Sequence, residues 1–456
     1  MSKFRFLRNM RVGLPLTLLL LSAADGAYAQ TQAAAQSAIE MIQRGEFAKA
    51  QQALEGELRR SPQDAALWNL LGIASTELHE TAKAHDAFAR GLKIAPNSVS
   101  LNENTGLLFF KEADYRNAKK YLLKAAGLGR QNPGVKFSLA ASRLRTGEPE
   151  RALEELKSLE APLGGSSEYW EERGRAEILT DAPAAEVDFS RAIELNPHSS
   201  VAFNGAASAA EKQGLDEKAL AYLIRAKQTN PNDISTLTHF GVVCIRRDLG
   251  LDAKNALEKA HQLEPSNNTV LFLLARANIS LQNWQNALDL FNEFARRVPS
   301  FAPTYYAMAW VDLRLNQRDE ARKLLKKCLT LQPDLADARV ELAQLLLDDG
   351  QLPEAEREVK AALETDPNHA KGNQLLGDLL LRYGKIDEAQ LRMQKAIQAD
   401  PKSSAAHYKL AAILSRRHET ERAAQERALA MTLAEENKKG NKTQLQLVLP
   451  DSGAAQ

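Results

Sequence analysis

An all-α fold of stacked helix pairs is what this sequence predicts, on three observations. An alanine recurs at Ala50, Ala84, Ala118, Ala152, Ala185, Ala219, Ala253, Ala287, Ala321, Ala355, Ala389 and Ala423, every step being 34 residues except one of 33. A proline travels with it, at Pro62 and Pro96 and then at Pro197, Pro231, Pro265, Pro299, Pro333, Pro367 and Pro401. Between these marks apolar residues follow the helical period, as in Leu342, Leu345, Leu346 and Val359. A fixed period in this range means an array of small stacked units and overrides any domain count taken from length.

Within each period the residue types suit two helices of about a dozen residues crossing closely. The crossing point needs a side chain no larger than a methyl, because anything bulkier forces the pair apart. The first helix supplies Gly72, Gly106, Gly174, Gly241 and Gly377, with Ala38, Ala140, Ala207, Ala275, Ala309, Ala343 and Ala411 in the other copies. The second helix supplies the recurring alanine. Turn chemistry such as Leu195-Asn196-Pro197, Thr229-Asn230-Pro231 and Thr365-Asp366-Pro367 ends the second helix, since proline lacks a backbone donor and pushes its predecessor out of the helical region. The break inside each unit falls at stretches such as Thr146-Gly147-Glu148, Gln213-Gly214-Leu215 and Asp349-Gly350-Gln351. The fourth copy is irregular, with Pro133 and Pro162, and the fifth is one residue short in its inner turn.

The best-kept copy reads Trp68, Leu71, Gly72, Ala84, Phe88 and Pro96, and it resembles the tetratricopeptide repeat, W-x2-L-G-x2-Y then A-x3-F then P. It departs from that pattern at Ser75, where the family has an aromatic residue. The resemblance covers residues 31–436 and implies a right-handed superhelical solenoid of about twelve repeats. It also implies that the first helix of each unit lines a concave groove for a partner protein or peptide. By the family's register the groove residues of two neighbouring copies are Phe272, Arg276, Ile279, Tyr306, Trp310 and Leu313. Aromatic and arginine residues together are frequent anchors of protein interfaces, although rings at these places also serve to fill space between helices. A more polar stretch holds Asn204, Ser208 and Glu211, and an apolar one holds Leu107, Phe110, Phe137 and Leu144. The carboxylate clamp of some family members is not built at the matching positions, which carry Asn69, Ile73, Lys371 and Leu375.

The N-terminus carries a separate message. Lys3, Arg5, Arg8 and Arg11 precede an apolar run from Val12 to Ala24 and the small-x-small triplet Ala27-Tyr28-Ala29. This pattern predicts a secretory signal over residues 1–29 with cleavage before Gln30, and hence a bacterial periplasmic or secreted protein. The run is shorter than the roughly 20 residues of a membrane-spanning helix, so no membrane-spanning segment is expected after cleavage; an uncleaved anchor is the alternative. Loss of the signal removes four basic residues and Asp25, which leaves the chain near neutral from a formal +1 and without a global attraction to nucleic acid. Residues 437–456 leave the pattern and read as a loosely ordered tail or as a strand that adds to a partner's sheet.

No catalytic, metal or cofactor site emerges. His79-Glu80 with His85 lacks the one-turn spacing of a zinc-protease helix, and no phosphate-binding glycine loop or nucleophile turn is present. Cys244 and Cys328 lie two repeats apart, beyond disulfide reach, and are expected as separate buried thiols. One further regularity is a cation in the last turn of first helices: Lys111, Arg145, Lys212, Arg246, Arg314, Arg382 and Arg416. Helix-end electrostatics account for it, and a basic ridge through Arg246, Arg314 and Arg382 that holds a polysaccharide or other anionic polymer is the competing reading. The sequence therefore predicts a non-enzymatic scaffold that binds protein segments, with a polymer-binding module as the alternative and an inert spacer as a third.

Overall fold

The computed structural model describes residues 26–129 and 132–439. The chain divides into two compact units, one ending at Thr229 and the other beginning at Asn230. Each is a stack of helix pairs, and among the described residues there are twelve pairs and one short extra helix, Glu160–Leu163. A typical pair is Ala65–Glu77 with Thr81–Ile94 in the first unit, or Ala302–Arg314 with Arg318–Leu331 in the second. The extra helix follows Pro149–Lys157, a second helix of only 9 residues, so the irregular fourth copy is completed by a further turn. The fifth copy has a shortened first helix, Ser167–Glu177.

The residues of the expected signal segment up to position 25 and the tail from position 440 lie outside the described residues. The first helix begins at Gly26, so the expected cleavage point before Gln30 falls in its opening turn, and the last helix runs to Lys439. No helix among the described residues is long and apolar enough to cross a membrane.

The recurring alanine is buried throughout, at 0% exposure in every copy up to Ala389 and 3% at Ala423. The glycine partners it faces leave almost no room. A methyl group built on Gly72 would come within 2.3 Å of the Phe88 ring, and one on Gly241 within 2.6 Å of Leu257. The residue filling the space is the large apolar side chain sixteen positions later, as Leu122 does for Gly106 and Met393 for Gly377. Where the first helix carries alanine, the corresponding places hold Leu54, Leu156, Leu223, Phe291, Leu325 and Val359, all buried, except in the last pair, where the exposed Arg427 follows Ala411.

Two local devices repeat with the helices. In the inner turn of eleven of the twelve pairs one residue adopts left-handed backbone, at Gly45, His79, Ala113, Gly147, Gly214, Asp248, Gln282, Asn316, Gly350, Gly384 and His418; the fifth pair has none. The turn closes the first helix through returning amides such as Glu80 N to Ser75 O at 2.9 Å. Between pairs, the fourth residue of the first helix donates to the carbonyl six positions earlier. Trp68 Nε1 reaches Pro62 O at 2.8 Å, Asn102 reaches Pro96 O at 3.0 Å, Tyr305 Oη reaches Pro299 O at 2.9 Å and Asn373 reaches Pro367 O at 2.9 Å. A linker carbonyl that no helix would satisfy thereby gains a donor. Side chains of Asp64, Ser98, Ser199, Asp233, Asn267 and Ser403 cap the following helices.

Candidate functional site

First helices of neighbouring repeats touch through polar side chains at several positions. At one such junction the sixth residue of a first helix meets the ninth of the preceding one, where Lys409 pairs with Asp378. The second residue meets the sixth of the preceding repeat, as Lys371 Nζ donates to Glu341 Oε1 at 2.7 Å. In the first unit Asn104 Nδ2 donates to Asn69 Oδ1 at 2.9 Å. The face made by first helices is therefore a row of polar contacts over an apolar floor.

In the second unit this row includes the aromatic and arginine residues singled out above, and the structure sorts them. Phe272 is fully buried, with its ring 5.4 Å from Phe291, 5.2 Å from Phe294 and 5.7 Å from Phe301. It is a core residue and its assignment to a groove surface is corrected: phenylalanines on the second helix of the same repeat and in the next linker close over it. Ile279 belongs to the same core. Tyr306 and Trp310 each keep 7% exposure, so only an edge of either ring reaches the surface. Trp310 stands edge-on to Trp284 at 5.9 Å and carries the Arg314 guanidinium 3.4 Å above its ring. Burial, with Asp337 and Glu341 nearby, pushes the Tyr306 phenol far above its usual range and keeps it protonated. Leu313 is half-buried beside this cluster.

Arg276 is half-buried on the helix Asn268–Ser280. Among the described residues its guanidinium has no hydrogen bond, ion pair or ring partner, and burial alone holds its proton affinity below the usual arginine value. Asn204 is half-buried and donates to Ser200 O at 2.8 Å within its own helix. Ser208 in turn donates to Asn204 O at 3.1 Å.

The ridge cations Arg246, Arg314 and Arg382 are exposed, and each is the final residue of its first helix. Lys111 and Arg145, of the same set, are engaged with neighbouring repeats. Lys111 donates to Thr76 O at 3.4 Å, and Arg145 makes a two-pronged bond to Glu172 at 2.5 and 2.8 Å. These contacts tie both cations to neighbouring repeats.

Three sequence-family models, each described as a tetratricopeptide repeat, match residues 26–99 and 251–300, 312–379, and 393–425. The matched segments are similar to tetratricopeptide repeats. They lie in both units, and between them they include the helices that carry Arg276 and Gln344. No curated protein matches the chain. Among solved structures it is similar to a chain of the APC/C hetero-tetramer Cut9–Hcn1, at 14% identity over 88% of this chain and 86% of that one, with a TM-score of 0.45. It is also similar to YrrB, described as a tetratricopeptide-repeat protein with an unusual peptide-binding site, at 19% identity over 41% and 96%, TM-score 0.37. A third is MamA of Desulfovibrio magneticus RS-1, at 22% identity over 37% and 97%, TM-score 0.33.

Two features of the repeats escape sequence reasoning. Arg173 links three helices: it donates to Asp188 at 2.5 and 2.7 Å and to Glu160 at 2.7 Å, and it lies 4.3 Å from the Trp170 ring. Glu177 shares this buried pocket of charge, and burial with Asp188 beside it pushes its carboxyl up to about 7. Asp312 is the second feature, 2% exposed with Oδ1 lacking a hydrogen-bond partner, and burial pushes its carboxyl up to about 6. Its place, the eleventh in the first helix, is the one where the family pattern has an aromatic residue. That departure from the pattern was a readable signal. Cys244 and Cys328 are both buried free thiols, and burial raises Cys328 to about 11. His79 sits in a left-handed turn residue, whereas His85 lies within the next helix and bonds Glu112 at 2.9 Å, so the two do not converge. No group of three or more metal-ligating side chains occurs among the described residues.

Proposed function

We propose that this chain is a non-enzymatic scaffold of the bacterial envelope that binds protein or peptide segments along the faces formed by its first helices, and that it acts in an envelope or export assembly. The observation that carries this reading is the row of half-buried, chemically varied ninth residues, among them Val242, Arg276 and Gln344, presented by successive repeats of the tetratricopeptide type. Stacks of such helix pairs offer an extended surface in which each repeat contributes a few side chains to one ligand. Residues 1–29 would direct export, and N-terminal sequencing of protein recovered from the periplasm should begin at Gln30; a start at Met1 would leave the anchor reading instead.

Site-specific photocrosslinking in the native envelope tests the binding face. A photoreactive residue at Gln344, on a first helix, is expected to capture discrete partners, whereas one at the exposed Glu388, on a second helix, is not. Equal capture from both positions would remove the assignment of the first-helix face.

A further inference from the structure

Arg276 is a half-buried cation with no acceptor among the described residues, and the stacking register sets an alanine where a counter-ion would be due. It is the ninth residue of Asn268–Ser280, and the ninth-to-sixth contact that joins Asp378 to Lys409 would pair it with the sixth residue of Ala302–Arg314. That residue is Ala307, which is fully buried and carries no charge. The floor around it is apolar: Phe272 lies one turn before Arg276 and Ile279 nearly one turn after, both in the core, and Trp310 holds the same register position in the next repeat. A half-buried guanidinium without a hydrogen-bond acceptor is destabilising to a fold, because desolvation of the charge is left uncompensated. Such a group is retained most readily where a ligand completes it.

We propose that Arg276 is a receptor for a single carboxylate, supplied by an acidic side chain or by the C-terminus of a bound peptide. A planar guanidinium offers two parallel donors that match a carboxylate. A monoanion fits better than a phosphate group, since a dianion calls for a second cation and no other charged group acts on Arg276. The neighbouring Arg314 is already stacked on Trp310, with Glu341 close by. The surrounding low-polarity floor strengthens the pair once it forms. This inference rests on the peptide-binding reading above and adds to it the chemistry of one ligand group.

Fluorescence anisotropy of the purified protein with three labelled pentapeptides tests it. The first is Ala-Leu-Glu-Leu-Ala amidated at its C-terminus, the second is Ala-Leu-Gln-Leu-Ala with a free C-terminus, and the third is the amidated glutamine peptide, which has no carboxylate. One of the first two should bind at least about ten-fold more tightly than the third, and which one does identifies the source of the carboxylate. Arg276→Met should abolish the preference while the melting temperature stays level or rises, because the variant removes a desolvated charge and keeps the apolar stem. Arg276→Lys should retain part of the preference, which separates loss of recognition from loss of fold. Inorganic phosphate should not compete. Equal binding of all three peptides would overturn the carboxylate assignment and leave the peptide surface standing. Absence of binding by any peptide would overturn it too, with the photocrosslinking contrast deciding the surface independently. A melting temperature lowered in Arg276→Met, with the preference intact, would make Arg276 a structural residue.

Discussion

At the scale of single residues, the crossing glycines and the eleventh residue of the first helix show how much a repeat tolerates. Gly72 and Gly241 are set by the large side chain that occupies the space a methyl would need. The eleventh place accepts Ser75, Phe109, Asn278, Asp312 and Leu346 in different copies, so it is a place where chemistry varies without loss of the fold. Asp312 makes a testable case. Its carboxyl is ordinary in the unfolded chain and raised to about 6 in the folded one by burial. Below the unfolded value both states are protonated and folding carries no penalty; above about 6 the folded state holds a buried anion. Stability is therefore expected to fall between pH 4 and pH 6.5 or so, by an amount on the order of 2 to 3 kcal/mol. Urea titrations across that range should show the decline in the native protein, and Asp312→Asn should flatten it. An unchanged slope in the variant would assign the decline to other groups, Glu177 first among them.

Elements follow from local chemistry that recurs at fixed offsets. The prolines end second helices, the capping side chains start first helices, and one left-handed residue closes every inner turn but the fifth. Six of those left-handed residues are not glycine, and an L side chain there costs roughly 1 kcal/mol or more. Ala113 has φ of 62° and no polar side chain to offset that strain. Ala113→Gly is expected to stabilise the first unit by about 0.5 to 1 kcal/mol, the relief of strain outweighing the added freedom of the unfolded chain. Thermal or urea unfolding would check the sign, and a destabilised variant would show that Ala113 has packing worth more than the strain. The glycine-bearing turns were legible in the sequence, whereas those at His79, Ala113, Asp248, Gln282, Asn316 and His418 were legible only through the 34-residue ruler. The linker carbonyls that receive Trp68, Asn102, Tyr305 and Asn373 were not legible, because donors of different type do one job and a sequence pattern registers type.

On the scale of the whole molecule, stability in each unit is expected to add up from repeats and their nearest-neighbour contacts. The last helix, Thr420–Lys439, covers the apolar face of Ser404–Arg416, where Leu410 and Leu414 share a core cluster with Ala423. A chain truncated after Arg416 should lose amide-exchange protection in that helix and its neighbour, while Ile234–Arg246 keeps its own. Loss of protection throughout the second unit would show a single cooperative block in place of a chain of repeats.

The sequence by itself determined the helix pairs, their number, their buried alanines and their turns, since each depends on residues close along the chain and repeats with one period. It also placed Arg276, Tyr306 and Trp310 on first helices that meet the next repeat. Only the tertiary structure decided which of those side chains are floor and which are surface. Phe272 and Trp310 are both aromatic groove candidates, yet the first is sealed by Phe291, Phe294 and Phe301 and the second keeps an edge exposed. The same holds for charge: Asp378 meets a lysine, whereas Arg276, at the same place in its helix, has an alanine thirty-one positions on. Whether a buried charge is compensated depends on what a residue thirty-one positions away happens to be, and that pairing exists only once the repeats are stacked.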